Sequence, residues 1–392
     1  MQLVIFEDRG VDSLSPITDL IPMQEVIVGG AKQFIRLERY LNMESKWIVR
    51  DHMIARVPES RKPDYGSPAI LLNSRLLSTD LNLKGLDYGE ALVCGNQIVA
   101  AKVKSLEWPP EFERVRPCEA KLLENLWDIC PTSIVEYLRS DLMSIYERGE
   151  IRVNVNVIGR HKVFIEEGVD ILGPITIDAR EGPVIIERDV LLEPYSYLKG
   201  PLYIGASSQI VAGSRIAGSY LGLATRVGGE VTTSIISDYS NKYHLGFLGH
   251  SYVGRWVNIG AGSITSNLKN TYGEVKVRGI ATGLSRIGAF IGDHAKLSIG
   301  TLTYAGTVIG TASHVHGLVR EEVPPFTIYG RSLGWELVEI ELDSVIRTYR
   351  RMAPRRNVEP DPVEEELLES LFKRTEDLRR KMGVRKGKLG ES

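Results

Sequence analysis

Residues 241–267 hold the side chains of this sequence that are best suited to chemistry. His244 and His250 carry imidazole groups, a group type that accepts a proton near neutral pH, and Asn258 and Asn267 carry amides that both donate and accept hydrogen bonds. An imidazole near such amides suits proton transfer at a bound polar ligand. Taken alone, a histidine in a loop is more often an ordinary surface residue, so the surrounding pattern has to decide between the two.

The surrounding pattern is a six-residue repeat. Aliphatic residues recur at every sixth position in one long run: Ile186, Leu192, Leu198, Ile204, Ile210 and Ile216. Shorter runs follow at Val253 and Ile259, and at Ile291, Leu297, Thr303, Ile309 and Val315. A strand has period two and a helix about 3.6, so period six matches neither alone. It is typical of a coil with three flat sides, and it predicts a parallel β-helix over about residues 158–320.

The repeat is interrupted twice, at residues 222–247 and 266–290. Interruptions in a solenoid are expected to be surface loops, and loops carry function more often than repeats do. The first interruption ends within the segment that holds His244. The sequence therefore places its candidate chemistry where a loop meets the next regular coil.

Other segments flank the repeat. Strand-like runs and one helical stretch near residues 31–42 predict a small α/β domain at the start. Apolar spacing predicts two helices within residues 117–149, and further helices at 334–352 and 361–382, the last of which caps the solenoid or binds a partner. We divide the chain as follows: 1–107 a truncated α/β domain, 108–150 a helical connector, 151–326 the β-helix and 327–392 a C-terminal helical tail.

Composition excludes several classes of function. Lys and Arg number 48 against 50 Asp and Glu, so no whole-protein charge favours nucleic acid. No apolar run reaches the roughly 20 residues that a membrane span needs, and the start MQLVIFEDRG is acidic where a signal peptide is basic, so a cytoplasmic location is expected. Cys94, Cys118 and Cys130 are widely spaced without a CxxC pair, and no metal site is expected.

The segment from His244 to Asn267 resembles the acetyltransferase domain of the bifunctional GlmU family, which makes UDP-N-acetylglucosamine. The family motif, roughly H-L-x-Y-[LI]-G-D-x-x-[IV]-G-x-x-V-N-I-G-A-G-T-I-T-x-N-Y, aligns here without a gap. The resemblance implies that His244 is the general base. It also implies that Asn258 contacts the sugar, that Ala261 and Asn267 contact acetyl-CoA, and that Phe247 replaces a tyrosine near the sugar.

A closer resemblance is to GlmU-like proteins of the sugar nucleotidyltransferase type from bacteria and archaea. The shared motifs are IDAREGP (177–183), GGEV (228–231), the stretch 238–249 and SNLKN-x-YG (266–273). The resemblance implies a left-handed β-helix, acetyl-CoA as co-substrate and a homotrimer with sites between subunits. Asn258, Phe247 and Lys242 are the predicted substrate-binding residues. The family's phosphate-contacting lysine has no clear equivalent in residues 231–234.

The N-terminal domain resembles a degenerate sugar nucleotidyltransferase. Pro16-Ile17-Thr18, Pro22 and Val28-Gly29-Gly30 keep the family's spacing, but residues 7–15 lack the Gly-rich loop that cradles a triphosphate. The family's Asn-Gly-Asp, which binds Mg²⁺ through its aspartate, is Asn73-Ser74-Arg75 here. Nucleotidyl transfer is therefore doubtful, and Mg²⁺ is expected only if this domain is active.

The sequence leaves three functions open. The first is an acyl-CoA-dependent N-acyltransferase acting on an amino sugar phosphate or a nucleotide-linked amino sugar, with His244 as base. The second is a sugar-1-phosphate nucleotidyltransferase that uses the N-terminal domain. The third is a non-catalytic scaffold or sugar-nucleotide-binding protein. The acceptor sugar and the acyl group do not follow from the sequence.

Overall fold

The computed structural model describes residues 1–77, 81, 83–129, 131–145 and 155–389 of the chain. The residues divide into two units: an N-terminal unit of Met1–Ile27 and Ala31–Asp128, and a C-terminal unit of Val28–Gly30 and Ile129–Ser392. Among the described residues, no helix has the length and apolar character that crossing a membrane requires.

A six-stranded mixed sheet forms the N-terminal unit. Its strands, in spatial order, are Ser45–Ile48, Gln2–Phe6, Ala69–Asn73, Gln97–Val103, Glu90–Cys94 and Arg114–Pro117. After Gln2, the strand Gln2–Phe6 is apolar: Leu3 and Ile5 face one core cluster, whereas Val4 and Phe6 face another. This is the pattern of a strand buried on both faces. The helix Gln33–Leu41 confirms the helix predicted near residues 31–42, and the strand-like runs predicted at 3–6, 69–72, 91–93 and 98–103 are all strands.

The first helix predicted within residues 117–149 is present only as a short 3-10 helix, Leu126–Ile129. Before it, Arg114–Pro117 is a strand that pairs in parallel with Glu90–Cys94. Backbone N–H groups then bond across to the sheet rather than along a helix: Leu123 N donates to the Arg75 carbonyl oxygen at 2.8 Å. The apolar residues around Leu123 are buried by these long-range contacts, so the N-terminal unit extends to Asp128, beyond the predicted limit of 107. The second predicted helix is present as Pro131–Ile145.

Three sheets form the β-helix of the C-terminal unit, and all their strands pair in parallel except Val338–Glu339, which is antiparallel to its neighbour. The strands of the first face are Val163–Ile165, Val184–Ile186, Leu202–Ile204, Tyr220–Leu221, Ile235–Ile236, Tyr252–Val253, Phe290–Ile291 and Val308–Ile309. Those of the second face are Asp170–Ile171, Leu191–Leu192, Gln209–Ile210, Arg226–Val227, Asn241–Lys242, Asn258–Ile259, Lys296–Leu297, His314–Val315, Thr327–Tyr329 and Val338–Glu339. Those of the third face are Val155–Gly159, Ile175–Ala179, Tyr197–Lys199, Arg215–Ala217, Glu230–Thr232, Phe247–Gly249, Ile264–Thr265, Leu302–Thr303 and Leu318–Val319.

The hexad residues fill the interior of this coil, as predicted. The six aliphatic residues from Ile186 to Ile216 are all fully buried, and they belong to one continuous core cluster that runs along the solenoid. Burying a side chain of this size stabilises the fold by about 1.5–3 kcal/mol. Each coil contributes about three such residues, so the apolar stack is the main source of stability for the solenoid.

The interruption predicted at residues 222–247 is not a loop. Tyr220 pairs with Ile235, 15 positions later, and Ile235 pairs with Tyr252, 17 positions later. These coils have shortened corners, which shift the six-residue count while all three faces continue. The second interruption is a real excursion: Tyr252 pairs with Phe290, 38 positions later. The excursion includes a small hairpin of Lys276–Val277 and Ile280–Ala281.

The C-terminal tail contains the helices Leu342–Met352, Pro362–Arg374 and Glu376–Lys381. The helix predicted from 334 begins only at Leu342, because Val338–Glu339 pairs as a strand with Thr327–Tyr329 on the second face. Asp361 caps the next helix by accepting a hydrogen bond from Val363 N at 2.9 Å. The apolar residues of that helix are buried within the chain itself, which supports the predicted capping role: Leu367, Leu368 and Leu371.

Candidate functional site

His244 lies on a corner of the coil, between the second and third faces. The strands Asn241–Lys242 and Asn258–Ile259 that precede this corner in two successive coils are neighbours, with Asn241 opposite Asn258. After them Gly262 N donates to the Leu245 carbonyl oxygen at 2.9 Å. His244 and Ala261 therefore occupy equivalent corner positions in adjacent coils. The His244 side chain is exposed, and the Tyr243 ring meets it edge-on at 5.3 Å.

Lys242 lies inside the coil, where most other coils have an aliphatic residue. It pairs with Val227 of the preceding coil and is 2% exposed. Its Nζ donates to the carbonyl oxygen of Gly228 at 2.6 Å and to that of His244 at 3.0 Å. Burial lowers the pKa of Lys242 to about 8, although the charge of Glu230 opposes this shift. This placement does not support the predicted contact with substrate, because the amine is used within the corner that carries His244.

Phe247 and Asn267 come together on the third face, with Gly249 between them. A Cβ added at Gly249 would lie 2.4 Å from the Phe247 ring and 2.8 Å from Asn267 Nδ2, so glycine is required for this packing. Asn267 Nδ2 donates to His250 Nδ1 at 2.7 Å. Burial, together with the charge of Arg286, lowers the pKa of His250 to about 4. A neutral His250 thus fixes the orientation of the Asn267 amide.

Asn258 lies on the second face, on the other side of the His244 corner. It accepts a hydrogen bond from Asn241 Nδ2 at 2.7 Å. Both asparagines line a cleft of about 390 Å³ between the second face and the end of the helix Leu342–Met352. Tyr239 and Trp256 stack in the wall of this cleft, with ring centroids 4.3 Å apart. The predicted residues are therefore distributed over both faces that flank one corner.

Sequence reasoning missed the arginines that the C-terminal tail contributes to this cleft. They come from the run RTYRRMAPRR, residues 347–356, which lies far from His244 in the sequence. The signal was the density of arginine in one short run. Nothing in the sequence indicated which part of the solenoid the run contacts.

The N-terminal unit has a buried ion pair where a nucleotidyltransferase would hold its metal ion. Arg75 is 1% exposed and binds Asp8 through two hydrogen bonds of 2.7 Å. Asn73 Nδ2 also donates to Asp8, at 2.8 Å, and a Cβ added at Gly10 would lie 2.3 Å from the Arg75 guanidinium carbon. An arginine packed in this way excludes a divalent cation, so these residues do not fit Mg²⁺. Within the described ranges, no group of three or more His, Cys, Asp or Glu residues is placed to hold a metal ion.

Comparison with known proteins finds similarity in both halves of this architecture. Residues 3–146 match the model of a family described as sugar nucleotidyl transferase. The bifunctional protein GlmU of Synechococcus elongatus is 26% identical over 262 residues, which cover 55% of this chain and 55% of that protein. A bifunctional sugar-1-phosphate nucleotidylyltransferase/acetyltransferase of Sulfurisphaera tokodaii is 30% identical over 171 residues, 40% of this chain and 38% of that protein. The chain thus spans about half or less of the length of these curated relatives.

Among solved structures, the UDP-N-acetylglucosamine acyltransferase of Francisella novicida aligns with 57% of this chain and 89% of its own. The identity is 13% and the TM-score 0.29. A similar alignment, with an acetyltransferase from Bacillus cereus, has 16% identity and a TM-score of 0.26. At these TM-scores the alignments add nothing to the fold described above.

Proposed function

The chain is GlmU-like, and from that premise we propose that it is an acyl-CoA-dependent N-acyltransferase that acts on an amino sugar phosphate or a nucleotide-linked amino sugar. The observation that carries the proposal is the corner at which the exposed His244 and Ala261 occupy equivalent positions in adjacent coils. We place the reaction in the cytoplasm, with acetyl-CoA as the donor and nucleotide-sugar synthesis as its setting.

We assign His244 the role of general base. Within the described ranges its imidazole has no hydrogen-bond partner, so its nitrogens are accessible to a substrate. The sugar amine attacks the thioester carbonyl carbon and forms the new C–N bond, while the imidazole accepts a proton from the amine. The C–S bond then breaks, and the CoA sulfur leaves as a thiol after the imidazolium returns a proton to it. No other reactant is required.

The corner also offers a donor for the oxygen of the thioester. In the described part of the chain, the backbone N–H of Ala261 is not used by another residue. A backbone N–H that is fixed before the reaction stabilises the negative charge that develops on the carbonyl oxygen. We assign this role to Ala261, and to Asn267 a hydrogen bond to the amide groups of the pantetheine arm.

The surface around this corner supports a homotrimer with the site between subunits. Leu245 is 80% exposed, and Ile299, two coils further along the same corner, is 78% exposed. Ile264 and Leu302 pair in register on the adjoining third face and are both more than 40% exposed. A contiguous apolar patch of this kind is typical of a protein interface. Leu245→Glu is expected to dissociate the trimer, which sedimentation equilibrium would show; a wild-type monomer would contradict this part of the proposal.

The first experiment is an assay of thiol release from acetyl-CoA with a panel of amino sugars, their 1-phosphates and their nucleotide-linked forms. His244→Ala is expected to lower turnover by about 10²–10⁴-fold, because it removes a general base. His161→Ala, which changes a histidine on the first coil, is the matched control and is expected to keep full activity. Absence of thiol release with every acceptor, or equal rates in wild type and His244→Ala, would overturn the mechanism.

A further inference from the structure

The cleft on the second face is lined by positive charge from two distant parts of the chain. Arg226 projects from a strand of the solenoid, and Arg351, Arg355 and Arg356 come from the end of the helix Leu342–Met352 and the turn that follows it. Lys296 also lines the cleft, but its Nζ donates to two backbone carbonyl oxygens of the coil and burial lowers its pKa to about 7, so the arginines supply the positive charge.

These charges are not neutralised by the protein. In the part of the chain that the structure describes, no Asp or Glu lines the cleft, and none of its four arginines forms an ion pair. Arg356 Nε is buried without a hydrogen-bond partner. Burial, together with the like charges of Arg226 and Arg355, lowers the pKa of Arg356 to about 10. Holding cations together in this way destabilises the protein unless something else binds there.

The helix dipole accounts for only part of this arrangement. Basic residues are commonly found at the C-terminal end of a helix, where they interact favourably with its carbonyl groups, and Arg351 is explained by that effect. Arg226 is not, because it belongs to a strand of the β-helix. Nor does the dipole provide a partner for the buried Nε of Arg356. A set of guanidinium groups that converges from two elements on one cleft indicates an anionic ligand.

We propose that this cleft binds the phosphate or diphosphate group of the acyl acceptor, an assignment that rests on the proposed function. The planar guanidinium forks match the geometry of phosphate oxygens and bind them in a bidentate manner. The hydrogen-bonded pair Asn241 and Asn258 on the floor of the cleft presents amide groups that suit sugar hydroxyls. Asn258 is also the residue for which the family resemblance implies a sugar contact, so the cleft would extend the acceptor site away from the His244 corner.

The binding experiment uses inorganic pyrophosphate as the probe and titration calorimetry at low ionic strength. The wild type is expected to bind pyrophosphate, and Arg226→Met and Arg356→Met are each expected to weaken binding by about 10- to 100-fold, because each removes a charged hydrogen-bond donor. Arg160→Met, which removes an exposed arginine on the first coil, is the matched control and is expected to bind like wild type. Absence of binding in the wild type, or equal binding by all four proteins, overturns the proposal.

A thermal measurement separates binding from misfolding. Pyrophosphate is expected to raise the melting temperature of the wild type and not that of Arg356→Met. Without ligand, Arg356→Met is expected to melt at a higher temperature than wild type, because the substitution relieves repulsion between like charges. A variant that melts lower, and that responds to pyrophosphate as the wild type does, would show that Arg356 has a structural role and would overturn its assignment to the ligand.

Steady-state kinetics identify the molecule that carries the phosphate. Arg226→Met is expected to raise KM for the acceptor at least tenfold and to leave KM for acetyl-CoA unchanged. A rise in KM for acetyl-CoA alone would assign the cleft to the phosphates of CoA and overturn the assignment to the acceptor. If wild type releases no thiol with any acceptor, the proposed function fails and this assignment fails with it. Pyrophosphate binding would then still decide whether the cleft is an anion site.

Discussion

The ammonium group of Lys242 donates a hydrogen bond of 3.0 Å, from inside the coil, to the carbonyl oxygen of His244. A second bond of 2.6 Å joins the same group to the Gly228 carbonyl oxygen in the preceding coil. One buried amine therefore connects two successive corners, and the backbone beneath the proposed base is held by a group that titrates. Several consequences of this and related contacts are open to measurement.

The first prediction concerns Lys242 and pH. Its folded-state pKa is about 8, below the ordinary value of 10.5, so from pH 8 to 10.5 the unfolded chain binds the proton more strongly than the folded chain. The contribution of this residue to stability therefore rises with pH across that window, by up to about 3 kcal/mol. Urea unfolding of wild type and Lys242→Met at pH 8 and pH 10 should show the difference growing in favour of wild type. Lys276→Met, at an exposed lysine of the hairpin, should show no such trend.

A second prediction concerns the close approach of two corners at Gly228. A Cβ added there would lie 2.0 Å from the Tyr243 carbonyl oxygen, next to His244. Gly228→Ala is therefore expected to destabilise the protein by about 1–3 kcal/mol through overpacking and to lower acyl transfer. Gly273→Ala is the control, because the nearest atom to its added Cβ is 3.6 Å away. Equal melting temperatures and activities for the two variants would contradict the packing described.

A third prediction concerns the pair of His250 and Asn267. The folded-state pKa of His250 is about 4 and its ordinary value is 6.5, so the unfolded chain takes up this proton first as the pH falls. Its contribution to stability is therefore lost as the pH falls from about 6.5 to 4. Proton NMR should show the His250 ring neutral at pH 5.5. Asn267→Ala should raise its pKa, because the amide donor favours the neutral imidazole, whereas Asn241→Ala should not. Titration of His250 near 6.5 in the wild type would count against this geometry.

A fourth prediction concerns the N-terminal unit. Burial of Asp8 opposes its ionisation, but the hydrogen bonds and charge of Arg75 outweigh that effect and hold the pKa of Asp8 below its ordinary value. The contribution of Asp8 to the stability of the fold is therefore complete above pH 3.8 and is lost as the pH falls further. At neutral pH, Asp8→Asn leaves Arg75 buried without its counter-charge. We expect the substitution to lower the free energy of unfolding by about 3 kcal/mol.

Hydrogen exchange of the full-length chain provides the measurement for this pair. The strands Gln2–Phe6 and Ala69–Asn73 should exchange faster in Asp8→Asn than in wild type. Asp12→Asn is the control. The ion pair of Asp12 with Arg50 is at the surface, where the Asp12 side chain is 68% exposed, so this pair should contribute less than about 1 kcal/mol to the free energy of unfolding. Similar exchange in both variants would show that the Asp8–Arg75 pair does not stabilise the sheet.

The fold was largely predictable because its main signal is local and repeated. The position of a residue such as Ile204 in the six-residue repeat predicts that its side chain is buried. The error at residues 222–247 arose because short corners change the six-residue spacing without ending the coil. The helix predicted around Leu123 is reduced to Leu126–Ile129 for a different reason: the backbone N–H of Leu123 donates to Arg75, a partner that helical spacing cannot indicate.

The candidate site was less predictable, because its residues meet through long-range contacts. The gap-free motif predicted roles for His244 and Asn267, which lie within one stretch of two coils. The inward position of Lys242 depends on the exact length of its coil, and the meeting of Arg226 with Arg356 depends on how the C-terminal tail folds back on the solenoid. Both facts concern register and packing, for which the sequence carries no periodic signal.

The excursion between Thr265 and Phe290 has a consequence for how such a chain changes in evolution. Its two ends close on each other, since Ile287 N donates to the Asn267 carbonyl oxygen at 3.0 Å, and the coils before and after it pair as direct neighbours. The coils therefore keep their pairing when the segment changes length, but the segment also packs on them: Val275 and Val277 are fully buried, and Arg278 forms an ion pair with Glu322. Substitutions at the exposed residues of the segment can thus accumulate beside Asn267 while the stack that carries His244 stays constant.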